Sequence, residues 1–154
     1  MGADARIAEL GLALPPAAAG SRNRVGAVRT GDLIYTSGHG PAKRADGSTL
    51  SGKVGRDLTP EEGNFAARLA GLALLATIRA ELGSLDRVRR VVKVLGMVNC
   101  APGFTATSAV VDGCSDLFVE VFGEAAGRHA RSAVGVAELP LDFPVEIEVI
   151  AEID

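Results

Sequence analysis

The chain ends on a segment, Val145 to Ile153, whose side chains alternate with a period of two. Val145, Ile147 and Val149 fall on one side, and Glu146 and Glu148 on the other. Successive strand side chains point to opposite faces, so this pattern describes a strand with one buried and one open face. A strand of that kind needs partner strands beside it and something apolar above it. Ser132 to Leu139 supplies a second strand, and Pro140 to Pro144 the turn between the two.

The cover is read upstream. Thr59-Pro60-Glu61-Glu62 predicts a helix start, with Thr59 as cap, Pro60 in the first position and Glu62 closing a capping box. Phe65, Leu69, Leu72, Ala73 and Ala76 follow at helical spacing, and Gly83 marks the stop, giving a helix over about 60–82. A second helix over about 107–123 carries Val110, Cys114, Leu117, Phe118 and Val121 on one stripe. Arg87 to Val98 reads as a Val-rich strand, and residues 25–28 and 33–37 as two strands about the turn Thr30-Gly31-Asp32. The polar, Gly-rich stretch 42–57 is a loop with a short strand near Lys53. The order β-β-α-β-α-β-β implies a two-layer α+β domain with both helices on one face of the sheet. Residues 1–22 form a helical or irregular lead-in, and residues 23–154 the domain. An apolar sheet face left uncovered predicts self-association.

With 47% hydrophobic and 23% charged residues the chain is globular, and with 4% aromatics and no Trp its core has to be aliphatic. The same scarcity of aromatics, with a net charge of -3, argues against nucleic acid as a partner. The densest basic stretch, Arg87, Arg89, Arg90 and Lys93, reads as an exposed strand side. Cys100 and Cys114 form neither a CxxC nor a Cys/His cluster. They read as reduced thiols of a cytoplasmic protein, with no metal site and no cofactor motif. No segment reaches transmembrane length, and Ile7 to Ala19 is interrupted by Glu9, Pro15 and Pro16, so neither a membrane span nor a signal peptide is expected.

Several side chains carry chemistry, each with two readings. Arg131 opens an apolar strand; it is either a strand-end surface residue or a planar fork for a carboxylate. Glu146 and Glu148 share a strand face; they are either solvated or one of them is a general acid/base. His39, between Gly38 and Gly40, and His129, near Arg131, are either exposed loop residues or bases. Asp112-Gly113-Cys114-Ser115 lies inside a helical stripe, which makes Cys114 a core residue.

The run Arg131-Ser132-Ala133-Val134-Gly135-Val136-Ala137, then Leu139-Pro140 and Val145-Glu146-Ile147-Glu148-Val149-Ile150-Ala151, resembles the signature of the RidA/YjgF family, also called the L-PSP endoribonuclease family. Leu33-Ile34-Tyr35-Thr36-Ser37-Gly38 followed by Pro41 resembles its early strand. The stretch Ser115 to Glu124 is similar to a divergent, chorismate-mutase-like branch. The resemblance spans about 23–153. It implies a chorismate-mutase-like fold with a mixed sheet, a homotrimer with clefts between subunits, and hydrolysis of enamines or imines to 2-keto acids and ammonia. On the matching positions Arg131 binds the substrate carboxylate and Glu146 is the acidic partner near the water. Ser37 and Gly38 line the cleft. Arg24 stands where the deaminases have a Tyr, His39 where they commonly have Gln, and Ala133 where many have Cys; His39 would then tune which imine side chain fits. The alternatives are a non-catalytic module that binds a small carboxylate in the same cleft and, with least support, RNA cleavage.

Overall fold

The computed structural model describes residues 2–154. Its elements are α1 (Ala3–Glu9), β1 (Ala27–Thr30), β2 (Leu33–Thr36), α2 (Pro60–Leu82), β3 (Val88–Asn99), α3 (Thr107–Gly127), β4 (Ala130–Val136) and β5 (Val145–Ile153). The strands form one sheet in the order β1-β2-β5-β3-β4. Among the described strands β3 and β4 run parallel, joined across α3, and the other neighbours are antiparallel. The sheet is thus mixed, as expected.

The alternation of β5 decides which face is covered. Val145, Ile147, Val149, Ala151 and Ile153 are buried on the face covered by α2, whereas Glu146 is half-buried and Glu148 exposed on the other face. Each buried Val or Ile contributes about 1.5–3 kcal/mol relative to exposure. Val91, Val94 and Val98 of β3 join the same core, where Phe118 is the one Phe or Tyr among the buried side chains described. The core is therefore aliphatic, as the composition required.

The Thr59 capping box forms as read: Glu62 N–H donates to Thr59 Oγ1 at 3.1 Å, and Glu62 Oε2 accepts from Thr59 N–H at 2.9 Å. Gly83 ends α2 in the left-handed region at φ 83°. The second helix breaks at Gly123 (φ 76°, ψ 167°), where the sequence placed its end, and then adds one more turn. Two expectations shift. The first strand begins at Ala27 and leaves Val25 exposed. The stretch near Lys53 makes only single bridges, Val54 to Leu58 and Val54 to Cys100. The lead-in is packed onto the domain: Ala3 and Ile7 of α1 are buried, and Asp4 Oδ2 accepts from Ser84 Oγ (2.6 Å) and Leu85 N–H (3.1 Å). Among the described residues no helix is long and apolar enough to cross a membrane.

Candidate functional site

Beyond β2 the chain continues along β5 through His39, whose N–H donates to Ile147 O at 2.9 Å and whose carbonyl accepts from Ile147 N–H at 3.0 Å. Strand alternation then sorts Gly38-His39-Gly40. Gly38 and Gly40 face the open side, and His39 faces the helices. A Cβ on Gly38 would overlap the Glu146 carboxylate, and a Cβ on Gly40 would overlap the Phe143 ring. The two glycines are there because side chains from β5 and its leading turn occupy that space.

The result is a cleft of about 310 Å³ lined by Arg24, Ser37, Gly38, Phe143, Leu141 and Glu146 among others. Ser37 does structural work in it: its hydroxyl donates to Val25 O at 2.6 Å and its N–H to Gly26 O at 2.8 Å, which holds the Arg24 segment at the rim. Glu146 is half-buried, and among the described residues no group donates a hydrogen bond to its carboxylate.

His39 does not belong to this cleft. Its ring is only 5% exposed; Nδ1–H donates to Ser37 O at 2.7 Å, and Nε2 accepts from Thr77 Oγ1 at 2.8 Å. Burial pushes its pKa below the usual histidine value, aided by the charge of Arg24, which favours the neutral ring. The expectation that His39 touches substrate is corrected: the pleat turns a residue flanked by two cleft glycines away from the cleft.

Arg131 lies on the covered face at the sheet edge. It pairs with Val94, which is buried under the helices, while Glu146 pairs with Met97, three residues further along β3. An odd offset means opposite faces, so one chain does not bring Arg131 and Glu146 together. Arg131 Nη1 donates to Asp112 Oδ1 at 2.7 Å and Ser115 Oγ at 3.0 Å; Nη2 has only Ser108 O at 3.4 Å. Ser115 in turn donates to His129 Nε2 at 3.0 Å, and His129 Nδ1–H donates to Gly127 O at 2.6 Å. Burial, with the Arg131 charge beside it, lowers the His129 pKa and keeps it neutral. These groups border a second hollow of about 430 Å³. Sequence reasoning missed Asp112 and Ser115 as partners of Arg131; their i, i+3 spacing beside the apolar stripe was the available signal. It also missed Leu141 and Phe143, which no local pattern marks.

Cys114 is fully buried, and burial pushes its thiol far up, which makes it inert. Two larger hollows, of about 480 and 700 Å³, lie against α1 and against the outer side of α2 and include none of the predicted site residues. Among the described residues no cluster of His, Cys, Asp and Glu could hold a metal ion.

Comparison with known proteins places this geometry. A family model described as "YjgF/chorismate mutase-like, putative endoribonuclease" matches residues 4–153. Protein TCP17 of Trypanosoma cruzi is 45% identical over 97% of this chain and 93% of its own. The crystal structure of Atu1372 from Agrobacterium tumefaciens, a protein of unknown function, is 40% identical, with a TM-score of 0.87 over 99% of this chain and 92% of that one. That of a "putative endoribonuclease" from Shewanella oneidensis MR-1 is 32% identical, with a TM-score of 0.91 over 99% of this chain and 100% of that one.

Proposed function

Since the chain belongs to the YjgF/chorismate-mutase-like family, we propose that it hydrolyses small carboxylate-bearing imines, and the enamines that tautomerise to them, to 2-keto acids and ammonia. The observation that carries this reading is Glu146: a half-buried carboxylate, seated against Gly38 in a cleft with Arg24, with no donor among the described residues. A carboxylate so placed is free to exchange a proton with a bound water.

In the proposed reaction Glu146 takes a proton from water as the water oxygen bonds to the imine carbon. The C=N electron pair moves to nitrogen, which takes the proton that Glu146 has just gained. In the resulting carbinolamine Glu146 takes the hydroxyl proton and passes it to nitrogen as the C–N bond breaks, so that ammonia leaves and a carbonyl remains. Arg131 fixes the substrate carboxylate through the guanidinium edge that Asp112 leaves open. Because Arg131 and Glu146 lie on opposite sheet faces of one chain, the complete site takes Arg131 from one protomer and the Glu146 cleft from a neighbour in a homotrimer.

One observation favours a second reading, a module that binds small carboxylates without turnover. Ser37 and His39 are both spent on internal hydrogen bonds, so among the described residues Glu146 is the sole acid/base in its cleft. RNA cleavage, which the family description mentions, fits least with a net charge of -3. Ammonia release from imines generated in situ by oxidation of several amino acids separates the readings. Release above the uncatalysed rate, lost in Arg131→Ala, supports deamination; keto-acid binding without release supports the binding module.

A further inference from the structure

The turn that leads into β5 holds an unusual backbone. Leu141 (φ 56°, ψ 22°) and Asp142 (φ 54°) are the two non-glycine residues with positive φ among those described, and they are consecutive. Asp tolerates the left-handed region; Leu does not, because its Cβ crowds the following carbonyl. Leu141 is also 80% exposed, so burial does not compensate for its conformation.

The strain is held from several sides. Asp142 O accepts from Gly52 N–H at 2.8 Å, and Asp142 Oδ1 accepts from Asn99 Nδ2 at 3.1 Å. Asn99 is fully buried, and its Oδ1 accepts from Lys53 Nζ at 2.7 Å; Lys53 also donates to the carbonyl of Ala137 and reaches Glu138 at 3.2 Å. Asp142 N–H donates to Leu139 O at 3.2 Å and Phe143 N–H to Pro140 O at 3.1 Å. A strained pair fixed this thoroughly presents one thing, an exposed leucine at the rim of the Glu146 cleft. There Pro140, Leu141 and Phe143 form an apolar wall facing Arg24 and Glu146. Backbone strain over-determined by its surroundings marks positions where placement matters for function.

We propose that Leu141 is the specificity-determining residue of the cleft and selects imines whose side chain is a branched aliphatic group over those with a methyl or methylene. This rests on the reading of the Glu146 cleft as the substrate site. The polar end of the substrate is met by charged groups; its side chain lies on the wall of Pro140, Leu141 and Phe143. Covering Leu141 also removes apolar surface that the free protein leaves in water.

The test compares wild type, Leu141→Gly and Leu141→Asn on imines generated in situ from leucine and from alanine. Thermal shifts with the keto acid of leucine and with pyruvate are measured in parallel. Glycine and asparagine both accept the left-handed backbone, so the turn survives while the apolar side chain is lost. Wild type is expected to prefer the leucine-derived imine by about tenfold or more in kcat/KM, the scale on which apolar pockets discriminate. Both variants should lose most of that ratio, and Leu141→Gly should melt above wild type. An unchanged ratio in both variants overturns the proposal, as does a wild type with no preference in either assay. A ratio lost together with a change in oligomeric mass also overturns it, since Leu141 would then be an interface residue. If wild type releases no ammonia but the keto-acid preference is present and vanishes in the variants, the deaminase reading fails and the role of Leu141 stands.

Discussion

Arg131 Nη1 and Asp112 Oδ1 lie 2.7 Å apart, so one edge of the guanidinium is held by the chain's own carboxylate while Nη2 has only a long contact to Ser108 O. Arg131 is 20% exposed and Asp112 50%, and a pair open to solvent to that extent stabilises by about 0–1 kcal/mol. Arg131→Ala should therefore leave the melting temperature nearly unchanged while abolishing the thermal shift given by a short keto acid. Arg131→Lys should largely fail as well, because a point charge cannot bond Asp112, Ser115 and a ligand in one plane. A full shift in Arg131→Ala moves the carboxylate site elsewhere.

Glu146 and Gly38 give a paired prediction. Glu146→Gln keeps the shape of the cleft and removes a proton acceptor, so ammonia release should fall about 10²-fold with keto-acid binding retained. Gly38→Ala places a methyl where the carboxylate sits, so it should lower turnover and binding together. Equal turnover in wild type and Glu146→Gln removes Glu146 from the chemistry.

The sheet was legible because its signals are local. The β5 alternation, the Thr59 capping box and Gly83 each fix an element without reference to the rest of the chain. The face that carries Glu146 and Glu148 was legible for the same reason, since it follows from period two, whereas the choice of Glu146 between them came from the family resemblance. What escaped depends on pairing. Nothing local states that β3 and β4 are parallel or that Met97 stands opposite Glu146, and those registers put Arg131 on the other face. His39 escaped because its neighbours are glycines, and glycine carries no hydrophobic pattern from which to read a face. The turn that holds Leu141 at positive φ is tied down at Asp142 by Gly52 and Asn99, with Lys53 behind Asn99, residues far away in sequence.

His39 gives a prediction in pH. Its folded pKa is lowered from the ordinary 6.5 by burial, so the unfolded chain takes up a proton there before the native one does. The unfolded state then binds more protons, and stability is lost as pH falls from about 6.5 toward the lowered value. His129, also lowered by burial, adds to the same slope. Thermal melts from about pH 7.5 to about pH 5 should show a shallower loss in His39→Gln than in wild type. At neutral pH the variant should be less stable by about 1 kcal/mol, for the hydrogen bonds to Ser37 and Thr77. Its substrate preference should be unchanged, since the ring faces α2; altered preference would return His39 to the cleft.

The last prediction concerns which chains make a site. Val28, Tyr35 and Val134 are exposed, and each lies on the sheet face that the helices do not cover, the face that also carries Glu146 and Glu148. Burying that face between copies removes apolar surface from water, and light scattering should report a trimer at micromolar concentration. The sharper test is complementation. Arg131→Ala and Glu146→Gln should each be nearly inactive alone. If a site takes its arginine from one protomer and its glutamate from the next, co-expressed chains should regain activity in mixed trimers. With random assembly of equal amounts, a site has both intact residues about a quarter of the time, so about that share of wild-type activity should return. Activity no higher than the two single variants in trimers shown to be mixed would mean that Arg131 and Glu146 never serve one site, and the two hollows would then have to be assigned separate ligands.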